Sequence, residues 1–231
     1  MGSIKINRNK TLLVSDGGNI VNEIDHTYSA FLAACNKDYD GILAHIRFTK
    51  DREIVCSRNR SLYKIIKRKI HISQHKYNDL LNYEYPNKYS FLTKLEELIE
   101  LSVRYHQHLY LKLCQPIGCL EIDQLHKLLR KVNYVNISII VNDYNILNSF
   151  KEIDRKLSLL YITDHIDEEI INICKSNNFG IITSLNNNTI DYLKISKENN
   201  IKFGVYNINN PIDASILIDN NVDILFTNHL E

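Results

Sequence analysis

The stretch Asp40-Gly41-Ile42-Leu43-Ala44-His45-Ile46-Arg47-Phe48-Thr49-Lys50-Asp51 decides how this chain is read. From Gly41 to Thr49 it carries few charges and is largely apolar, as a strand buried on both faces of a parallel sheet must be. Thr49-Lys50-Asp51 closes it as a turn, and Glu53-Ile54-Val55-Cys56 continues it beyond that turn. Upstream, Thr11-Leu12-Leu13-Val14 is a shorter buried run ended by Ser15-Asp16-Gly17-Gly18. Residues 26–35 then place Phe31, Ala34 and Cys35 at helical spacing, with Asp25 or Thr27 available as a cap.

From Phe91 onward a helix and a strand alternate. Leu92, Leu95, Leu98, Ile99 and Val103 line a helix before the strand at 109–114. Predicted helices at 122–132, 146–153, 167–175, 189–197 and 211–218 are followed by apolar runs at 137–141, 157–162, 180–183, 202–206 and 223–226. The count is eight strands, and the fold class is α/β, a (β/α)8 TIM barrel. A doubly wound open sheet is the alternative, but its GxGxxG turn is absent. In a barrel, chemistry lies at the carboxyl ends of the strands.

The 231 residues with 44% hydrophobic content fit one barrel domain over 1–231. A net charge of +1, from 28 basic and 27 acidic residues, provides no global attraction to nucleic acid or to an anionic membrane, so partners must be argued locally, and no nucleic-acid partner is expected. No run approaches the roughly 20 apolar residues of a membrane span, and the polar start lacks a secretory core. The five cysteines are odd in number and form no CxxC pair, which points to reduced thiols and a cytoplasmic location. Cys114 and Cys119, in CQPIGC, read as packing residues in preference to a zinc site, since no second ligand pair follows.

Residues 59–90 break the rhythm and read as a short insertion after the second strand. Lys64, Lys67, Arg68 and Lys69 alternate with Ile65, Ile66 and Ile70, and Tyr63, Tyr77, Tyr83, Tyr85 and Tyr89 follow the same stretch. One reading is a solvated face over packed tyrosines; the other is a binding surface for phosphate groups, nucleic acid or a protein partner.

The chain resembles the glycerophosphodiester phosphodiesterase family, whose barrels read HRG, ENT with a following AF, DGIExDVxxTKDG, VVxHD and a later IEIK strand. The matching segments are LLVSDGG, DHTYSAFLAAC, DGILAHIRFTKDR, IVCSR, LYLKLC and VYNINNPIDASILIDNNVDILFTN. The resemblance implies a role in lipid metabolism and a calcium or magnesium ion held by the acids of ExD and the glutamate of IEIK. It also implies two histidines as acid and base, with an arginine on the phosphate. Position by position, Ser15 and Asp16 stand at the first His-Arg, Leu43 and His45 at the ExD acids, Ser57 and Arg58 at the later His-Asp, and Lys112 and Cys114 at the Glu and Lys of IEIK.

With those identities neither metal nor metal-dependent hydrolysis is expected, and a pseudoenzyme acting as a binding, regulatory or scaffold domain is the leading reading. Lys112 is a point charge suited to a phosphate or another small anion, which gives a metal-free anion-binding module as an alternative. The competing role for Lys112 is neutralising Asp16 across the barrel. A further alternative is a divergent phosphodiesterase with relocated residues, using His45, Asp16 and His165, with His229 and Asp164 also near strand ends. The remaining histidines, His26, His71, His75, His106, His108 and His126, read as surface or insertion residues. The expected pocket comprises Asp16, His45, Arg58, Lys112, Tyr206 and Asn209, with Tyr206 as a stacking wall.

Overall fold

The computed structural model describes residues 5–8, 10–131 and 136–231, so Val132, the last residue of the helix expected at 122–132, lies outside the described residues. Eight strands run parallel: β1 (Leu12–Asp16), β2 (Gly41–Phe48), β4 (His108–Leu113), β5 (Ile137–Val141), β6 (Ser158–Ile162), β7 (Gly180–Ser184), β8 (Phe203–Tyr206) and β9 (Ile224–Thr227). β1 pairs with both β2 and β9, which closes the sheet into the expected barrel. The ninth strand, β3 (Ile54–Cys56), turns back antiparallel on β2 with Ile46 opposite Cys56. It returns the chain to the carboxyl end of β2.

Helices α1 (Tyr28–Cys35), α4 (Leu95–Arg104), α5 (Cys119–Lys131), α6 (Tyr144–Ile153), α7 (Glu168–Asn177), α8 (Thr189–Glu198) and α9 (Pro211–Asp219) alternate with the strands. Their starts are set chemically. Thr27 accepts from the Ala30 N–H, Asp167 from the Ile170 N–H, and Asn210 from the Ile212 N–H beside a first-turn proline.

Strand alternation divides the apolar residues into two cores. Ile42, Ala44, Ile46 and Phe48 of β2 pack outward against the helix layer, while Leu43 joins Val14, Tyr110, Ile140, Leu160, Ile182, Ile224 and Phe226 inside the barrel. Small residues make room for large neighbours in this interior: a Cβ on Gly204 would lie 2.7 Å from Ile182 Cδ1. By the same alternation His45, two residues after Leu43, faces the axis one step nearer the mouth.

The insertion sits between β3 and α4, with α2 (Tyr63–Ile66), a 3-10 turn (Ile72–Gln74) and α3 (Tyr77–Leu81). Leu62, Ile65, Ile72, Tyr77 and Leu80 form its own small core with Val55 and Leu92. The Lys50 N–H donates to His75 O at 2.9 Å and the Tyr77 N–H to Asp51 Oδ1 at 3.0 Å, pinning it to the β2–β3 turn. Tyr77 is packed beneath, but Tyr63 and Tyr89 are 57% and 50% exposed, so the tyrosines do not act as one buried layer. Cys35, Cys56 and Cys174 are buried; Cys119 is exposed, contrary to a packing role, because it opens α5 at the surface. Among the described residues no helix is long and apolar enough to cross a membrane.

Candidate functional site at the barrel mouth

Interior-facing side chains at the carboxyl ends of β1, β2, β4 and β8 enclose a cavity of about 120 Å³. Asp16, Leu43, His45, Arg58, Lys112 and Tyr206 line it, with Asn207 and several apolar residues. Register brings them together, since Asp16 is paired with Leu43 and His45 with Lys112 across neighbouring strands.

Asp16, 3% exposed, is neutralised by Arg58, whose NH2 lies 2.8 Å from Oδ1. Its expected partner Lys112 is not used, because the β2–β3 hairpin delivers a guanidinium directly to the end of β1. Arg58 is itself placed by Arg47, a residue the sequence did not mark. Arg47 shares the strand face of Leu43 and His45, one step further toward the mouth, and donates to the carbonyls of Ser57 at 3.1 Å, Arg58 at 2.8 Å and Cys114 at 2.8 Å. It thereby fastens the hairpin to the end of β4.

Lys112 Nζ lies 5.3 Å from the centre of the Tyr206 ring. Among the described residues no carboxylate comes within 4.0 Å of it. Tyr206 is held in turn by its hydroxyl, which donates to Asp164 at 3.2 Å, while the same carboxylate accepts from the Ser184 N–H and hydroxyl at 2.9 and 2.6 Å. Those hydrogen bonds keep the Asp164 carboxyl below its usual range, with Lys112 adding to the effect.

His26 is the other missed residue. It is 2% exposed, not a surface residue, because Gly17 takes φ +82 and its carbonyl accepts from the His26 N–H at 2.8 Å, folding the loop beneath the end of β1. A Cβ at Gly17 would lie 2.6 Å from His26 Cε1. The Asp16-Gly17-Gly18 turn was the signal that could have found it.

The backbone N–H of His45 donates to His26 Nε2 at 3.0 Å, and His45 Nδ1 lies 2.9 Å from the same nitrogen. Nε2 of His26 therefore carries the lone pair, its Nδ1 lies 3.4 Å from Asp25 Oδ2, and His45 donates through Nδ1. His45 keeps a proton-accepting Nε2. Burial, then His26, Arg58, Lys112 and Arg47, hold its imidazole well below the usual range, so it is neutral at pH 7. Burial pushes the Asp25 carboxyl up, but His26, Lys64 and Arg58 outweigh it and hold it at about 2.

The donors do not fit the calcium or magnesium ion the resemblance implies. Leu43 has no donor, Lys112 brings a cation, and hard ions require several oxygens. Asp16, His26 and His45 do place ligand atoms within 4.8 Å of one another. However, the 2.9 Å between the two histidine nitrogens is a hydrogen-bond contact, shorter than the about 3.3 Å edge of a tetrahedral site with nitrogens about 2.0 Å from a metal. Asp16 is already held by Arg58.

Other expected residues lie elsewhere. His165 is exposed, 3.5 Å from Asp167, and His229 is exposed; neither lines the cavity. Asn209 accepts from Thr227 Oγ1 at 3.1 Å and the Asn228 N–H at 2.8 Å, bracing the last loop, and Asn207 lines the cavity in its stead. Ser15 is fully buried off the cavity, and Ser57 spends its hydroxyl on Asn59 O at 2.9 Å. His108 and His126 are also not surface residues: His108 is partly buried with Nε2 2.9 Å from Ser138 Oγ, and His126 is buried.

The structure resembles several solved proteins. An Oleispira antarctica phosphodiesterase in complex with the product sn-glycerol-3-phosphate superposes with a TM-score of 0.84 at 15% identity, over 96% of this chain and 94% of that one. Glycerophosphodiester phosphodiesterases from Parabacteroides distasonis and Thermotoga maritima give TM-scores of 0.81 and 0.76 at 14% and 16% identity, each over 95% of this chain and 93% and 95% of theirs. At these identities the likeness is one of fold. No curated protein matches the chain in sequence. The model of the glycerophosphoryl diester phosphodiesterase family matches residues 16–231, the whole barrel from the end of its first strand, and the chain belongs to that family.

Proposed function

We propose that this domain has relinquished metal-dependent hydrolysis and binds a small phosphate-bearing or other anionic group at the barrel mouth, without a metal ion. The observation that carries this is Lys112, whose ammonium lines the cavity 5.3 Å from the Tyr206 ring centre and forms no ion pair among the described residues. An interior cation without a counter-ion favours an anionic ligand. Arg58, engaged by Asp16, adds a polar wall more than a second free charge, and neutral His45 offers Nε2 to a ligand hydroxyl. The cavity of about 120 Å³ is well below the roughly 300–1,000 Å³ of pockets for drug-sized ligands, which suits one phosphate-sized group. The product complex of the Oleispira relative supports a glycerol phosphate as first candidate. Five free cysteines fit a reducing compartment such as the cytoplasm.

Titration calorimetry with sn-glycerol-3-phosphate and with inorganic phosphate, in EDTA, tests this. Saturable binding abolished by Lys112→Ala is expected; binding that requires added magnesium or calcium would overturn it.

One feature supports a second reading, residual phosphodiester cleavage: the fixed tautomer of His45 leaves Nε2 as a proton acceptor at the mouth. Turnover of glycerophosphocholine that is metal-independent and lost in His45→Gln would favour it, and no turnover excludes it.

A further inference from the structure

The barrel mouth does not account for the charge on the insertion. From Ile54 to Asn78 the chain has seven lysines and arginines and not one aspartate or glutamate, although the whole protein is balanced at 28 to 27. Arg60, Lys64, Lys67, Arg68 and Lys69 are all exposed. Lys64 approaches a carboxylate, Asp25 at 3.8 Å, whereas Arg60, Lys67, Arg68 and Lys69 form no ion pair among the described residues. Lys67 ends α2 in the left-handed conformation, φ 58, so Lys67, Arg68 and Lys69 leave the helix as a projecting turn. The insertion's own apolar core backs that turn, and Tyr63 stands 57% exposed beside it.

We propose that this surface docks the domain onto membranes carrying anionic phospholipid. Clustered lysines and arginines are attracted to the negative potential of such a leaflet, and an exposed tyrosine settles at headgroup depth. Leu81 and Tyr89, 40% and 50% exposed on the same insertion, add apolar surface of the kind an interface accepts. A single-stranded nucleic acid would call for a row of aromatic platforms along a charged groove, and this patch is a compact projecting turn. Arg58 begins the basic run and also lines the mouth. Docking through the insertion therefore brings the mouth to the level of lipid headgroups. The surface stands apart from the anion site, since only Arg58 belongs to both.

The test is co-sedimentation of the whole chain with vesicles of phosphatidylcholine alone and of phosphatidylcholine with about one-third phosphatidylserine. Binding to the mixed vesicles alone, abolished by high salt, is expected. The exposed triple variant Lys67→Glu, Arg68→Glu, Lys69→Glu should lose at least tenfold in affinity with unchanged circular dichroism, Tyr63→Ala should lose less, and Lys112→Ala should bind as the wild type does. Equal binding to both vesicles, no binding to either, or charge-dependent binding of a single-stranded RNA oligonucleotide without vesicle binding would each overturn the proposal.

Discussion

Arg58 reaches Asp16 at 2.8 Å from the segment just after β3, and that pairing leaves Lys112 lining the cavity with no ion pair among the described residues. Removing the arginine strands a carboxylate that is 3% exposed. Breaking such a pair from one side costs about 3 kcal/mol here, the low end for buried pairs because Arg58 is partly exposed. Arg58→Ala should lower the urea midpoint accordingly, and Asp16→Asn in the same chain should recover most of the loss. Additive losses in the double variant would show that the two residues do not depend on each other.

Arg47 contributes to the site without touching the cavity. Its three hydrogen bonds to carbonyls hold Ser57, Arg58 and Cys114 in place. Each is worth about 1 kcal/mol net, and the carbonyls left behind are poorly hydrated. Arg47→Ala should cost about 3 kcal/mol, and Arg47→Lys should recover only part of it, since an ammonium does not reproduce the planar fork. If lysine restored full stability to denaturant, charge and not geometry would be the operative feature.

Acid should weaken the fold in two separate windows. Burial holds His45 well below the usual imidazole value, and burial with nearby Lys202 holds His108 at about 4. Unfolded, both titrate near 6.5, so as pH falls below that value the unfolded chain takes up protons the folded chain refuses. Stability is therefore full above about 6.5 and declines by up to about 1.4 kcal/mol per pH unit for each histidine, ending for His108 near 4. Asp25 is depressed instead to about 2, so its contribution is present above the ordinary carboxyl value and lost between about 3.8 and 2. Urea midpoints of the wild type and His108→Gln at pH 7, 6 and 5 check the first window; the variant should show the shallower slope, and parallel slopes would refute the assignment.

The barrel was legible because its strands are near-continuous apolar runs and its helices carry apolar stripes, and these patterns do not depend on the polar residues at the mouth. Alternation on β2 also gave Leu43 and His45 their inward direction. What sequence could not supply was reach. Asp16 and Lys112 share an interior layer, yet the nearer cation comes from a hairpin whose position depends on three backbone carbonyls and Arg47. His26 was hidden because its burial follows from a left-handed glycine, not from a periodic pattern. Asn209 and Asn207 lie two residues apart in one loop, and hydrogen bonds to Thr227 and Asn228 decide which is structural.

The acids that the family resemblance implies can be written into the same register. Leu43 and Lys112 face one cavity, with His45 between them on the strand pair, so Leu43→Glu, His45→Asp and Lys112→Glu would gather three carboxylates beside Asp16. Without a cation these acids repel, and the variant should melt below the wild type. Calcium or magnesium should then raise its melting temperature, since a ligand at a hundred times its dissociation constant stabilises the folded state by about 2.7 kcal/mol. The wild type, with Lys112 in the way, should show no such rise. A metal-dependent shift of equal size in both proteins would mean that the natural mouth already accepts a divalent cation, and that Lys112 does not keep it out.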